Sequence, residues 1–308
     1  MFTARRLKSV YEQAEKMDFD DNSKFVFMSD IHRGDNSVGD EFAQNRIIYY
    51  HALQYYYQDG FTYIENGDGD ELWEIPYYKY IRSAHPDIFD LLRQFQKEDR
   101  LIMLYGNHNV QIKNKEFVKR HMTREYDDYL GAEVEILPGI EAHAALRMRH
   151  TETDQEIFVI HGHQGELFND YLWPITLFMC RYVWRFLHRL GFQYAASPAR
   201  NRFKRAHTEK TLNRWVRDKN VLLICGHTHR PRLPQPGDGK YFNCGCCIHP
   251  HGITCIEMSY GEIALVNWMA HTRPDGMMYI KRTLVKGPEE LRSYMKSDDE
   301  VTLEKKQI

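Results

Sequence analysis

Residues 221–231 read VLLICGHTHRP. Five apolar, β-prone residues run straight into Gly226-His227-Thr228-His229. A buried strand ends where its side chains leave the core, and two histidines one residue apart just past such an end rarely serve packing. The same arrangement recurs upstream. Residues 24–28 lead to Asp30-x-His32, and residues 61–64 to Gly67-Asp68. Residues 101–105 lead to Gly106-Asn107-His108, and residues 157–160 to His161-Gly162-His163. One Asp-x-His is usually a surface turn, and one Gly-Asp says almost nothing. Five such clusters in order, each at the end of an apolar run, predict loops that converge on one point.

Carboxylate, imidazole and a single amide would converge there. These donors suit a pair of borderline divalent cations rather than calcium, which takes an all-oxygen shell. In extended chain, residues i and i+2 point the same way, so Asp30 with His32, and His227 with His229, can each face one ion. Asp68 can bridge two ions through its two oxygens. Asn107 offers a neutral oxygen and can also touch a substrate oxygen.

The chain of 308 residues is 43% hydrophobic, enough for a sizeable core. A net charge of −2 and a pI near 6.8 give no global attraction to nucleic acid or to a membrane. Residues 1–11 are polar, with no apolar signal region, and no apolar run is long enough to span a bilayer. The six cysteines (180, 225, 244, 246, 247 and 255) resemble no disulfide framework. A reducing, cytoplasmic setting is therefore expected.

Residues 1–22 read as a helical extension. A helix is expected over 41–58 and another over 86–97, opened by Pro86. Strands alternating with helices predict an α/β core. Short strands at 241–244, 253–258 and 263–268 look antiparallel, so the second sheet should be mixed. The main domain is placed at 23–286, with a helical insertion at about 166–220, and residues 287–308 form a charged tail.

The ordered clusters resemble the calcineurin-like metallophosphoesterase superfamily, whose pattern is D-x-H, G-D-x-x-[DE], G-N-H-[DE], H-G-[GDH] and G-H-x-H. The resemblance spans residues 24 to 268. It implies a four-layer α/β sandwich of two mixed sheets flanked by helices, with two metals at the sheet edge. Carried over residue by residue, one ion takes Asp30, His32, Asp68 and His229, and the other takes Asp68, Asn107, His161 and His227. Manganese is the first expectation, with iron or zinc as alternatives. The implied chemistry is a metal-bridging hydroxide attacking a phosphomonoester, phosphodiester or pyrophosphate. His108 would be the general acid, and Glu71 would orient and charge it, or else cap a turn. Arg33, His163 and Arg230 are candidate substrate contacts beside Asn107. Arg33 could equally be a solvated loop arginine, and His163 an outer-shell group or a helix cap. Asn109 stands where the superfamily usually has an acid. That departure leaves open a rival reading, an inactive scaffold that uses the fold for docking.

Within the superfamily, residues 67–73, GDGDELW, are similar to a motif of UDP-2,3-diacylglucosamine hydrolases, as is GHTHRP at 226–231. The third motif departs, because that group has arginine where His108 stands. The insertion is apolar over 171–187, and residues 199–220 are basic. It is either a helical pair covering the core or a lid. A lid's apolar face would take a lipid-like part of a phosphorylated substrate, and its basic face would hold phosphate or make peripheral contact with an anionic membrane. Cys244, Cys246 and Cys247 lack the paired spacing of a zinc ribbon and read as structural.

Overall fold

A computed structural model describes residues 2–127, 130–184 and 202–294. The chain opens with α1 (Phe2–Gln13), β1 (Glu15–Phe19) and β2 (Phe25–Met28), followed by α2 (Arg46–Gln58) and β3 (Thr62–Asn66). Next come α3 (Tyr78–Ala84), α4 (Pro86–Lys97), β4 (Leu101–Leu104) and α5 (Lys115–His121). Five strands follow: β5 (Arg124–Asp127), β6 (Ala132–Glu135), β7 (Ala142–His143), β8 (Ala145–His150) and β9 (Glu156–Ile160). The insertion holds α6 (Trp173–Phe178) and α7 (Arg202–Lys219). The chain then runs through β10 (Leu222–Cys225), β11 (Tyr241–Asn243), β12 (Ile253–Ser259), β13 (Glu262–Thr272) and β14 (Met278–Glu290).

Two mixed sheets form. One has the order β1-β8-β9-β10-β11 and the other β14-β13-β12-β2-β3-β4-β7, while β5 and β6 make a separate hairpin. Alternation along the strands decides which layer each side chain enters. Phe25 and Phe27 point between the sheets and meet Leu146, Val159, Ile224 and Phe242. Val26 and Met28 point outward, under Tyr49, Leu53 and Tyr56 of α2 and Leu92 and Phe95 of α4. On the far side, Phe158, Ile160 and Leu223 are covered by Leu7 and Val10 of α1 and by Leu212, Trp215 and Val216 of α7. Helices, sheet, sheet and helices give the expected four layers. Truncating a central residue such as Phe27 to Ala would cost about 3–5 kcal/mol.

Two expectations differ from the structure. Residues 1–22 are not helical throughout, because β1 pairs in parallel with β8. Only Phe19 of that strand is buried, so no local pattern marks it and pairing alone makes it a strand. The strand at 241 is not antiparallel to those after it; β11 runs parallel to β10. The chain changes sheets directly after β11, with the Cys244 N–H bonded to the Cys225 carbonyl and the Cys247 N–H to the Asp30 carbonyl. In the charged tail, Leu291 and Tyr294 enter the core between the sheets, and the residues after 294 lie outside the described residues. Among the described residues, no helix is long and apolar enough to cross a membrane.

Candidate metal centre

Strands β2, β3, β4, β9 and β10 end on the same side of the sandwich, and their following loops form one cluster. The loops are stitched by backbone bonds: Asp30 N–H to the Gly67 carbonyl, His32 N–H to the Asp68 carbonyl, and Gly226 N–H to the His161 carbonyl. Asp30, His32, Asp68, His227 and His229 all take φ between +52° and +63°. They are half of the ten described non-glycine residues in the left-handed region. Strain of this kind persists where the surroundings fix it and gathers at functional sites. It also corrects the reason given above: alternate residues converge here through left-handed turns, not extended chain. The close approach explains two glycines. A Cβ at Gly226 would lie 1.8 Å from Ser29 Oγ, and one at Gly106 would lie 2.1 Å from Asp68 Oδ1.

Each aspartate commits one oxygen to the scaffold. Asp30 Oδ2 accepts the His227 N–H at 2.8 Å, and Asp68 Oδ1 accepts the His108 N–H at 2.7 Å. The other oxygens face imidazoles. Asp30 Oδ1 is 2.9 Å from His229 Nε2 and 3.9 Å from His32 Nε2. Asp68 Oδ2 is 3.0 Å from His161 Nε2 and 3.9 Å from His32 Nε2. Asp68 therefore reaches both halves of the cluster through one oxygen rather than the two expected. Two compact donor groups result, Asp30–His32–His229 and Asp68–His161–His227, each with its donor atoms within 4.8 Å of one another.

These donors fit divalent cations. Asp30 Oδ1, His32 Nε2, Asn107 Oδ1, His161 Nε2 and His227 Nε2 are all buried and make no hydrogen bond, although some approach other site atoms. Unsatisfied buried polar atoms are costly, and five aimed at one place call for a ligand. The imidazoles are set by their other nitrogens. His161 Nδ1 donates to the Asn66 carbonyl at 3.1 Å, and His32 Nδ1 bonds Glu71 Oε2 at 2.9 Å. Both arrangements leave Nε2 for a metal. Burial raises the pKa of Asp30 and Asp68, yet neighbouring histidines outweigh it and hold both carboxyls below the ordinary range. Burial likewise pulls His229 down, but Asp30 pushes it well above the usual value.

Glu71 Oε2 also bonds His108 Nδ1 at 2.7 Å. Burial favours neutral His108, but the Glu71 carboxylate wins and lifts its pKa to about 9. Trp73 stacks on His108, with ring centres 4.3 Å apart. In the insertion, Arg181 donates to the carbonyls of Trp73 at 3.0 Å and Leu72 at 2.6 Å. The sequence reading missed this clamp, because nothing local links residue 181 to residue 72. Asn109 replaces the usual acid without losing the turn. Its Oδ1 accepts the Gly106 N–H at 2.7 Å, which needs only a carbonyl oxygen.

Three proposed substrate contacts fall elsewhere. Arg33 is fully buried, bonded to Glu65 at 2.6 and 2.8 Å, to Asp70 at 2.8 Å and to Tyr49 at 3.2 Å. A desolvated guanidinium with carboxylates on both sides holds the strand ends and is not free for phosphate. His163 is buried behind His161 and His227 and does not line the cavity. Burial, then those two rings, lowers its pKa to about 3, so it stays neutral. Arg230 also lies off the cavity wall, 3.6 Å from Glu209.

The site opens into a cavity of about 1270 Å³. Asp68, Glu71, Asn107, His108, His227 and His229 line it beside Trp73, Leu167, Phe168, Ile175 and Met179. Leu167, Phe168, Ile175 and Phe178 of the insertion are each more than half exposed. Residues 185–187 of the apolar stretch and 199–201 of the basic stretch lie outside the described residues.

Converging strand-end loops on a two-sheet sandwich, rich in aspartate and histidine, define a metallophosphoesterase-type protein. The calcineurin-like phosphoesterase family model matches residues 23–231, and the chain belongs to that family. No curated protein matches the chain. Among solved structures, it is similar to vacuolar protein sorting 29 from Cryptosporidium parvum, at 11% identity and a TM-score of 0.37. That match covers 86% of this chain and 98% of the other. The Chaetomium thermophilum counterpart gives 11% identity and a TM-score of 0.38, over 86% and 96% of the two chains. A candidate 5′-nucleotidase from Staphylococcus aureus gives 13% identity and 0.35, over 92% and 58%. These likenesses are too distant to bear on activity.

Proposed function

We propose that the protein is a binuclear metal-dependent phosphohydrolase acting on a phosphomonoester, phosphodiester or pyrophosphate that carries an apolar part. The carrying observation is the set of five buried donor atoms without hydrogen bonds, arranged around the shared Asp68. Asp30, His32, Asp68 and His229 would hold one cation, and Asp68, Asn107, His161 and His227 the other; manganese is the first choice, before iron or zinc. Two divalent cations bound there would offset phosphate charge and would lower the pKa of water enough to furnish a nucleophile near neutral pH.

The chain supplies the rest. His108, kept protonated by Glu71, donates its proton to the departing oxygen. Trp73 fixes the plane of that ring. Asn107 lines the cavity with an unpaired amide oxygen and can orient the substrate through its NH₂ group. The exposed apolar side chains of the insertion would exclude water and bind an acyl or aromatic portion. A cytoplasmic enzyme whose insertion touches a membrane surface suits such a substrate.

The test is hydrolysis of p-nitrophenyl phosphate and its bis ester with added manganese. Turnover abolished by His108→Ala is the expected result. Binding of manganese without turnover of any ester would instead favour the scaffold reading.

A further inference from the structure

The first helix reaches the cavity from outside the family match. α1 ends well before residue 23, where that match begins, yet Thr3 lines the cavity wall, as do Gly165 and Leu167. The approach is close: a Cβ on Gly165, whose φ is +89°, would lie 2.5 Å from Thr3 Cγ2 and 2.7 Å from Thr3 Cα. Thr3 Oγ1 donates to the Gly165 carbonyl at 3.2 Å. Further along α1, Arg6 makes a two-pronged pair with Asp170, Nε to Oδ2 at 2.9 Å and Nη2 to Oδ1 at 3.1 Å. The Asp170 side chain is only 8% exposed, and its Oδ2 also accepts the Gly165 N–H at 2.8 Å. Asp170 belongs to the helical turn Leu167–Tyr171, whose Leu167 and Phe168 line the cavity.

The two sides of this contact are anchored differently. α1 is held by its own apolar face, with Leu7 and Val10 buried against Phe158 and Ile160 of the sheet. The turn has no such hold. Of its five residues only Asn169 is buried, and Leu167 and Phe168 are 58% and 55% exposed. Glu166 accepts from Thr208 Oγ1 at 2.6 Å and lies 3.2 Å from His227, but these contacts end at the residue before the turn. A planar guanidinium gripping a nearly buried carboxylate through two bonds is a stiff clamp, unlike an exposed ion pair. Rigidity therefore passes from the sheet through α1 to the turn.

We propose that Arg6 is a positioning residue that sets substrate specificity: through Asp170 it holds Leu167 and Phe168 where they meet an apolar group of the substrate. The inference rests on the proposed function and names a determinant of its selectivity that lies outside the family match. A wall already in place binds an alkyl chain without the cost of first ordering itself. Such a contact is the same in ground and transition states, so losing the clamp raises KM and leaves kcat alone.

The experiment measures phosphate release from octyl phosphate and ethyl phosphate by the full chain with added Mn²⁺, together with hydrogen exchange of residues 167–171. The two esters share their leaving-group chemistry and differ in apolar length. Arg6→Met is expected to raise KM for octyl phosphate at least about fivefold while kcat, and both constants for ethyl phosphate, stay within about twofold. Exchange across the turn should speed up roughly tenfold. Arg6→Lys keeps the charge without the fork and should give an intermediate KM. Asp170→Asn cuts the pair from the other side and should reproduce the KM shift, which keeps the test valid if Arg6→Met folds poorly. An unchanged KM for octyl phosphate in both Arg6→Met and Asp170→Asn, or an equal loss on the two esters, would overturn the inference and leave the proposed function standing. A wild type inactive on both esters would count against the proposed function instead. The exchange measurement needs no turnover, and a turn no faster in either variant would overturn the role of Arg6 by itself.

Discussion

The strand-end loops and the insertion above them are built on different principles. The loops are short, and their positions follow from strands whose register the core enforces. Five donor residues accept strained backbone to converge, and glycines at 106 and 226 clear the space between them. The insertion is long, leaves large apolar side chains open, and touches the site through a few polar clamps: Glu166 on His227, and Arg181 on the Leu72 and Trp73 carbonyls. Its first turn is also tied to the N-terminal helix, where Arg6 grips Asp170 at 2.9 and 3.1 Å. Under the proposed function, chemistry would fall to the loops, and choice of substrate to the part with few anchors.

Substitutions can break this division. His227→Ala, in the loops, should lower kcat/KM roughly a thousandfold, about 4 kcal/mol, in a steady-state ester assay. Unchanged turnover would show that the loops do not carry the chemistry. Arg33→Met strands Glu65 and Asp70 without their buried partner, and should cost about 3–5 kcal/mol of stability in urea unfolding. A loss under about 1 kcal/mol would mean the strand ends do not depend on that ion pair.

Glu71→Gln sharpens the comparison through pH. The Glu71 carboxylate raises the His108 pKa, so in the wild type the acid form survives to higher pH. Without that charge the proton leaves sooner, and the alkaline limb of kcat should move down by about 1–3 units. An unmoved limb would exclude His108 as the acid whose loss sets it. Arg181→Ala, in the insertion, removes two bonds to the loop bearing Glu71 and Trp73. It should reduce kcat by roughly 2–10-fold with little change in Tm, by differential scanning fluorimetry. A larger loss would place the insertion inside the catalytic machinery. Arg214→Ala, on the exposed face of α7, should change stability by no more than about 0.5 kcal/mol.

The same division explains what could be read in the sequence. Apolar runs ending in polar clusters marked β2, β3, β4, β9 and β10, because these buried strands carry strong local patterns. The set of residues that converge was legible for that reason. Strand β1, with only Phe19 buried, and the largely exposed β14 carry no such pattern and are strands by pairing alone. Arg33 misled because an arginine beside His32 reads as a phosphate clamp, whereas its partners Glu65 and Asp70 lie a full crossover away. Glu166 follows His163 by three residues, yet its meaning depends on Thr208 and His227, which only folding brings near. Long-range polar clamps leave no periodicity to detect.

The central claim is that two cations sit where the loops meet. Anomalous scattering from Mn²⁺-loaded crystals tests it directly. Two peaks roughly 3.5–4 Å apart are predicted, one among Asp30, His32, Asp68 and His229 and the other among Asp68, Asn107, His161 and His227. No peak there, or peaks held by other residues, would contradict the account.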